Sequence, residues 1–398
     1  MKIRFAITFI LVIFLSNAFS QSFNKKCSHQ KQIVVGAERT DVYFPYVGDK
    51  NFALVANHTS LIKGKHLVDS LLSLPVNLKK IFCPEHGFRG TANAGQHLSN
   101  YIDEATGIPV VSLYGKNKKP NPKDLENIDI MVFDLQDVGA RFYTYISTLT
   151  LVMEACAENG IPLIILDRPN PNGFYVDGPV LEYGFESFVG MHRIPVVHGM
   201  TVAEYARMIN GEAWLTNAVQ CDLIWVKCLN YDHNSRYQLP VKPSPNLPDM
   251  NSVYLYPSLC FFEGTVVSIG RGTDHPFTMY GHPDLSGDHV FTPESNSGAS
   301  NPKLKGARCN GEDLSSHANL YFSSNPGLSL SWLMKAYRQL GAQPDFFNAF
   351  FDKLAGGDAL RKQIQQGLSE DEIRASWEQE LMKFKKIRKN YLLYDDFE

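Results

Sequence analysis

The chain has 398 residues, 44% of them hydrophobic and 20% charged, with a formal net charge of −3. That is enough apolar mass for a large core and length enough for two domains. No block of like charges offers nucleic acid a footprint, and no apolar run after the first twenty residues is long enough to span a bilayer.

Lys2 and Arg4 precede an apolar run from Phe5 to Leu15, and Ala18 and Ser20 then stand three and one residues before Gln21. Charge, apolar run and small residues in that order predict a secretory signal peptide over 1–20 and a mature chain in the periplasm or outside the cell. Seven cysteines, Cys27, Cys83, Cys156, Cys221, Cys228, Cys260 and Cys309, are widely spaced and include no CxxC pair. They read as small buried hydrophobes rather than as a disulfide scaffold or zinc site.

Asn51–Ala56 reads as a strand, 65–74 as a helix, 78–82 as a second strand and 109–114 as a third. A short helix over 121–127 leads to a fourth strand, 130–135. Tyr145–Asn159 is a helix closed by Gly160, and 161–166 is a fifth strand. Strands apolar throughout, alternating with helices, predict a parallel sheet covered on both faces. Thr201, with Glu204 three residues on, is a capping box opening another helix. Leu223–Val226 is a further strand. Pro240–Pro248 is extended and proline-rich, a candidate junction. The second half reads as mixed α+β with a polar loop over 293–302 and helices over 328–340 and 371–388.

Open parallel sheets bind ligands beyond the carboxyl ends of their strands. Here those ends carry His58 after the first strand and Glu85, His86 and Arg89 after the second. Asp134, Gln136, Asp137 and Arg141 follow the fourth, and Asp167, Arg168, Asn170 and Asn172 the fifth. Glu85 follows an apolar strand and a proline, so its carboxyl is partly desolvated at the rim, as a general acid requires. Asp134 and Asp137 are candidate second carboxylates. Gln136 suits a sugar hydroxyl or amide, and Tyr143 a sugar face. Arg141 and Arg168 can grip a carboxylate in two-pronged fashion or pair with Asp134 and Asp167. In the second half, glycines flank Arg271, which suits an anionic ligand group.

No GxGxxG, GxxxxGK[ST] or GxSxG motif is present, and Ser60–Lys63 matches SxxK without its companion motifs. No nucleotide, metal or other cofactor is therefore expected. His58, His86, Asp134, Asp167 and His198 are the one set that would make a metal site, without local ligand spacing to support it.

The segments PEHGFRG (84–90), FDLQDVGARFYTY (133–145), DRPNPNG (167–173), HGMT (198–201), PSPNLP (243–248) and EGTVVSIGRGT (263–273) resemble the bacterial exo-β-N-acetylmuramidase family, NamZ-type glycoside hydrolases formerly grouped as a domain of unknown function. They run in family order across most of the chain, and RKNYLLY (388–394) resembles the family's ending. The resemblance implies a Rossmann-like N-terminal domain, 21–239, a smaller α+β domain, 240–398, and an active cleft between them. It implies release of terminal N-acetylmuramic acid from the non-reducing end of a peptidoglycan-derived muropeptide or disaccharide. Glu85 falls on the family's proposed catalytic position. His198, Asn246 and Glu263, in the matching segments, join the substrate-binding candidates. A non-catalytic muropeptide binder and a metal-dependent hydrolase stay open as alternatives at this point.

Overall fold

Seven strands form one sheet: β1 (Asn51–Ala56), β2 (Asn77–Cys83), β3 (Tyr101–Ile102), β4 (Pro109–Ser112), β5 (Ile130–Asp134), β6 (Leu163–Leu166) and β7 (Leu223–Val226). Their spatial order is β7-β6-β5-β1-β2-β4-β3. Every neighbouring pair is parallel except the edge pair β3–β4. The computed structural model describes residues 31–85, 87–89, 100–318 and 326–398. The signal-peptide segment, Cys27 and His86 lie outside the described residues.

Successive side chains of a strand point to opposite faces, and both faces here are buried. Phe52, Leu54, Ile81, Val132, Ile164 and Val226 pack into one core. Ala53, Val55, Phe82, Met131, Phe133 and Ile165 pack into the other. The second core continues through helices α1 (Tyr145–Asn159) and α2 (Val202–Gly211) into Phe261, Phe262, Leu333, Phe351 and Trp377. Burial on both faces is what the unbroken apolar strands require. Residues Val34–Glu398 are held as one compact unit.

Local patterning is kept where it was strongest. Helix α1 ends at Gly160 in the left-handed cap, and Thr201 and Glu204 make the reciprocal capping box of α2. The helix expected over 65–74 shrinks to Leu67–Leu71. Lys65 and His66 instead pair with Leu61 and Ile62, and the His66 ring caps the amide of Val68. The turn over 121–127 is a short 3-10 segment, Pro122–Leu125. Cys221 and Cys228 are both free and buried at either end of β7, like Cys83, Cys156, Cys260 and Cys309. No helix among the described residues is long and apolar enough to cross a membrane.

The second half adds helix α3 (Met250–Leu259), which runs into a 3-10 turn at Cys260–Gly264, then a three-stranded sheet, β8 (Met279–His282), β9 (His289–Phe291) and β10 (Cys309–Asp313). Helices α4 (Ser331–Gln339) and α5 (Glu370–Arg388) follow. The tail after α5 turns back to the first half. Tyr394 donates to Asp167 at 2.6 Å and the amide of Leu393 to Glu204 at 2.8 Å. Buried Arg388 bridges the carbonyl of Gly199 and the carboxylate of Asp396.

Candidate active site

Glu85 sits just past β2, half-buried, on the rim of the sheet. It lines a cavity of about 160 Å³ walled also by Tyr143, Tyr145, Asn246, Tyr256, Arg271 and Phe277, with Glu263 as its second carboxylate. A larger groove of about 640 Å³ runs along residues 236–254, but its only charged side chains are Arg236, Lys242 and Asp249. Chemistry rather than size decides between them: only the smaller cavity has two glutamates and a guanidinium on its walls.

Two aromatic hydroxyls, those of Tyr114 and Tyr145, lie close enough to Glu85 to feel its charge. Tyr114 leaves the end of β4, the strand beside β2, and its hydroxyl is hydrogen-bonded to the Glu85 carboxyl. Burial, then the neighbouring carboxylate, raises the Tyr114 pKa to about 12. The Tyr145 hydroxyl accepts a 2.7 Å bond from Asn57 Nδ2, and burial pushes its pKa upward. The Tyr143 hydroxyl donates to the carbonyl of Pro243 at 2.8 Å, and its ring meets Tyr145 and Tyr256 edge-on. It therefore ties Pro243 to the rim of the sheet while lining the cavity. Neither Arg89 nor Arg141 pairs with Glu85: Arg89 forms a two-pronged ion pair with Asp103 and stacks on Phe88.

Further wall residues come from the second half. Asn246 is held by its bond to Gly298 O. Glu263 leaves the 3-10 turn, where Gly264 packs so closely that a side chain there would meet the Cα of Phe351 at 2.4 Å. Gly270 and Gly272 both take positive φ, 75° and 84°, and present Arg271 between them. Arg271 Nε donates to Glu263 Oε1 at 2.6 Å, and the guanidinium lies over the Phe277 ring.

The other residues expected at this edge converge there but sit beneath it. Asp134 and Arg168 are a buried pair, with Nε–Oδ1 at 2.6 Å and Nη2–Oδ2 at 2.9 Å, so neither is offered to a ligand. Arg141 is fully buried, and its terminal amines donate to the carbonyls of Pro179, Ile194, Leu354 and Ala355. It ties the two halves together instead of gripping a substrate carboxylate. Asp167 accepts from Thr201, Ala203 and Tyr394. Asn170 bonds Met200 O, Asn172 bonds Val138 O and Val253 O, and Gln136 bonds Asp137 O and Pro169 O. His198 is buried and accepts from the amide of Met200, and burial lowers its pKa to about 3. His58 lies against Lys242 O. Asp137 accepts from the amide of Gly139, its second oxygen is buried without a partner, and burial raises its pKa to about 7. Asp137 is not a lining residue of the cavity. Among the described residues no group of three His, Cys, Asp or Glu side chains is placed to hold a metal ion.

Tyr114, bonded to Glu85, and the wall residues Tyr256 and Phe277 were not singled out from sequence. Tyr114 had a readable signal, since it ends a predicted strand. Tyr256 and Phe277 had none, because their place depends on how the second half docks.

The chain matches the family model described as exo-beta-N-acetylmuramidase NamZ, N-terminal, over residues 52–251, and the C-terminal model over 254–394. It is 41% identical over 376 residues to the peptidoglycan beta-N-acetylmuramidase NamZ of Bacillus subtilis (strain 168), covering 87% of each chain. Crystal structures of two DUF1343 family proteins from Bacteroides fragilis NCTC 9343 share the fold. One has a TM-score of 0.85 at 46% identity, covering 92% of this chain and 100% of that one. The other has a TM-score of 0.78 at 29% identity, covering 91% and 99%. The glutamate-walled cavity at the sheet rim is thus carried by a chain that belongs to the exo-β-N-acetylmuramidase NamZ family.

Proposed function

We propose that this chain removes terminal N-acetylmuramic acid from the non-reducing end of peptidoglycan fragments, with Glu85 giving its proton to the leaving glycosidic oxygen. The observation that carries the reading is Glu85 at the rim of a small aromatic-walled cavity that Arg271 also lines. A confined cavity suits exo action on one terminal sugar. Aromatic faces suit the apolar face of a pyranose, and a guanidinium suits the lactyl carboxylate that distinguishes muramic acid. Nε of Arg271 is engaged by Glu263, which leaves the terminal amines for the lactyl group.

Exchange of Glu85 for glutamine tests the acid role. General acid catalysis contributes about 10²–10⁴ in rate, and Glu85→Gln should lose that much turnover on a natural disaccharide with its melting temperature unchanged. The loss should shrink on a nitrophenyl glycoside, whose leaving group needs little protonation. A fully active Glu85→Gln on the disaccharide would remove Glu85 from the mechanism.

The reading includes export. The charged, apolar and small-residue order of residues 1–20 supports a cleaved signal peptide and a substrate met in the periplasm or beyond. Mass spectrometry of the secreted protein should find an N-terminus at or near Gln21, and an intact Met1 would argue against export. Residues 21–239 then act as the catalytic part and 240–398 as the part that closes the cleft. The extended 240–248 segment is the division, ahead of the Asp249-capped α3.

A further inference from the structure

Glycoside hydrolysis ordinarily uses two carboxyl groups, one on each side of the scissile bond. The sheet edge offers three besides Glu85, and the structure disposes of each differently. Asp134 is locked in its ion pair with Arg168 and fully buried. Asp167 is saturated by three donors. Asp137 is buried and does not line the cavity. The other carboxylate on the wall comes from the second half of the chain. Glu263 lines the same cavity as Glu85, and its side chain keeps 24% of its surface open.

The geometry points to Glu263 as the second catalytic carboxylate, the base that activates water on the ring face opposite Glu85; this rests on the reading of Glu85 as the acid. Glu263 is built into position rather than loosely exposed. Arg271 Nε holds Oε1, and the Cys260 thiol approaches Oε2 at 3.7 Å. The main chain around it is fastened by Lys303, whose ammonium donates to the carbonyls of Phe262, Glu263 and Thr265. Glu263 and Arg271 also line a second cavity of about 310 Å³. A carboxylate drawn onto a guanidinium is a poor nucleophile towards carbon, yet it keeps a lone pair to orient a water.

The step balances as follows. The bond from C1 to the glycosidic oxygen breaks, and that oxygen takes the proton of Glu85. The water oxygen bonds to C1 while one of its protons passes to Glu263. Solvent exchange then returns the proton from Glu263 and reprotonates Glu85. The first-formed N-acetylmuramic acid from a β-linked substrate is therefore the α anomer.

The test uses the full mature chain with Glu263→Ala and Glu263→Gln, assayed on a nitrophenyl N-acetyl-β-muramide. Glutamine keeps an acceptor for Arg271, so it guards against loss of fold, which is checked by melting temperature. Both variants should lose about 10²–10⁴ in turnover, and the loss should persist with the good leaving group, unlike that of Glu85→Gln. Sodium azide should restore turnover in Glu263→Ala and yield the α-glycosyl azide, since azide fills the space of the missing carboxylate and needs no base. NMR of wild-type hydrolysis should show the α anomer first. A folded Glu263→Ala within tenfold of wild type, loss without azide rescue, or a β first product would overturn the proposal. A Glu85→Gln enzyme fully active on the natural disaccharide would instead sink the acid reading, whatever Glu263 does.

Discussion

Two polar regions flank the cavity, and they share a composition but not a fate. The ends of β5 and β6 carry Asp134, Asp137, Arg141, Asp167, Arg168, Asn170 and Asn172, nearly all buried and bonded to one another or to main chain. The cavity wall from 246 to 277 carries fewer polar groups, but Glu263 and Arg271 keep part of their surface open. A carboxyl-end position says that a polar side chain reaches the edge. Whether it acts on a ligand depends on whether the protein has already used its hydrogen bonds.

That contrast can be broken by experiment, beginning with the largest effect. Arg141→Met strips four buried carbonyls of their donor, and each acceptor left dry costs about 1–3 kcal/mol. The variant should be the most destabilised of the set in urea unfolding; near-wild-type stability would mean the guanidinium is not the tie between the halves. Asp134→Ala leaves Arg168 charged and unpaired in the interior, which costs about 3–5 kcal/mol. Turnover per folded molecule should hold, whereas a hundredfold drop with the fold intact would return the sheet edge to the catalytic machinery. Arg271→Ala should lower the preference for N-acetylmuramide over N-acetylglucosaminide roughly ten- to hundredfold, the worth of a charge-assisted hydrogen bond of about 1.5–3 kcal/mol. Loss shared equally by both substrates would confine Arg271 to holding Glu263.

The smallest effect concerns Asp137. Its pKa is raised by burial from 3.8 to about 7 in the folded chain. The stability it contributes is fully present below pH 3.8 and is lost as pH rises through 7, because the unfolded chain gives up its proton at once whereas the folded chain must bury a charge to do so. Asp137→Asn keeps the acceptor for the Gly139 amide and should flatten the decline of melting temperature across that window, with turnover little changed. A steep unaltered decline would assign the pH dependence to other groups.

Much of the fold was legible because its signals are local. The apolar run of β1, the Gly160 stop and the Thr201–Glu204 cap each lie within one element. The 65–74 segment was misread because His66 uses its ring to cap Val68 and its backbone to pair with Leu61, a choice that periodicity does not record. Glu85 was readable from its strand-end position. The occupation of Arg141 was not, because Leu354 and Ala355 stand more than two hundred residues away. Glu263 also lies far from Glu85 along the chain and reaches the same cavity only when the second half docks.

The tail after α5 places a constraint on how the chain is made. Tyr394, Leu393 and Asp395 supply partners to Asp167, Glu204 and His233, groups at the heart of the first half. During synthesis the sheet can assemble early, but these buried groups stay unmet until residues 393–395 have been made. The first half is therefore completed late, and replacing residues 393–395 would loosen a region roughly two hundred positions upstream in sequence.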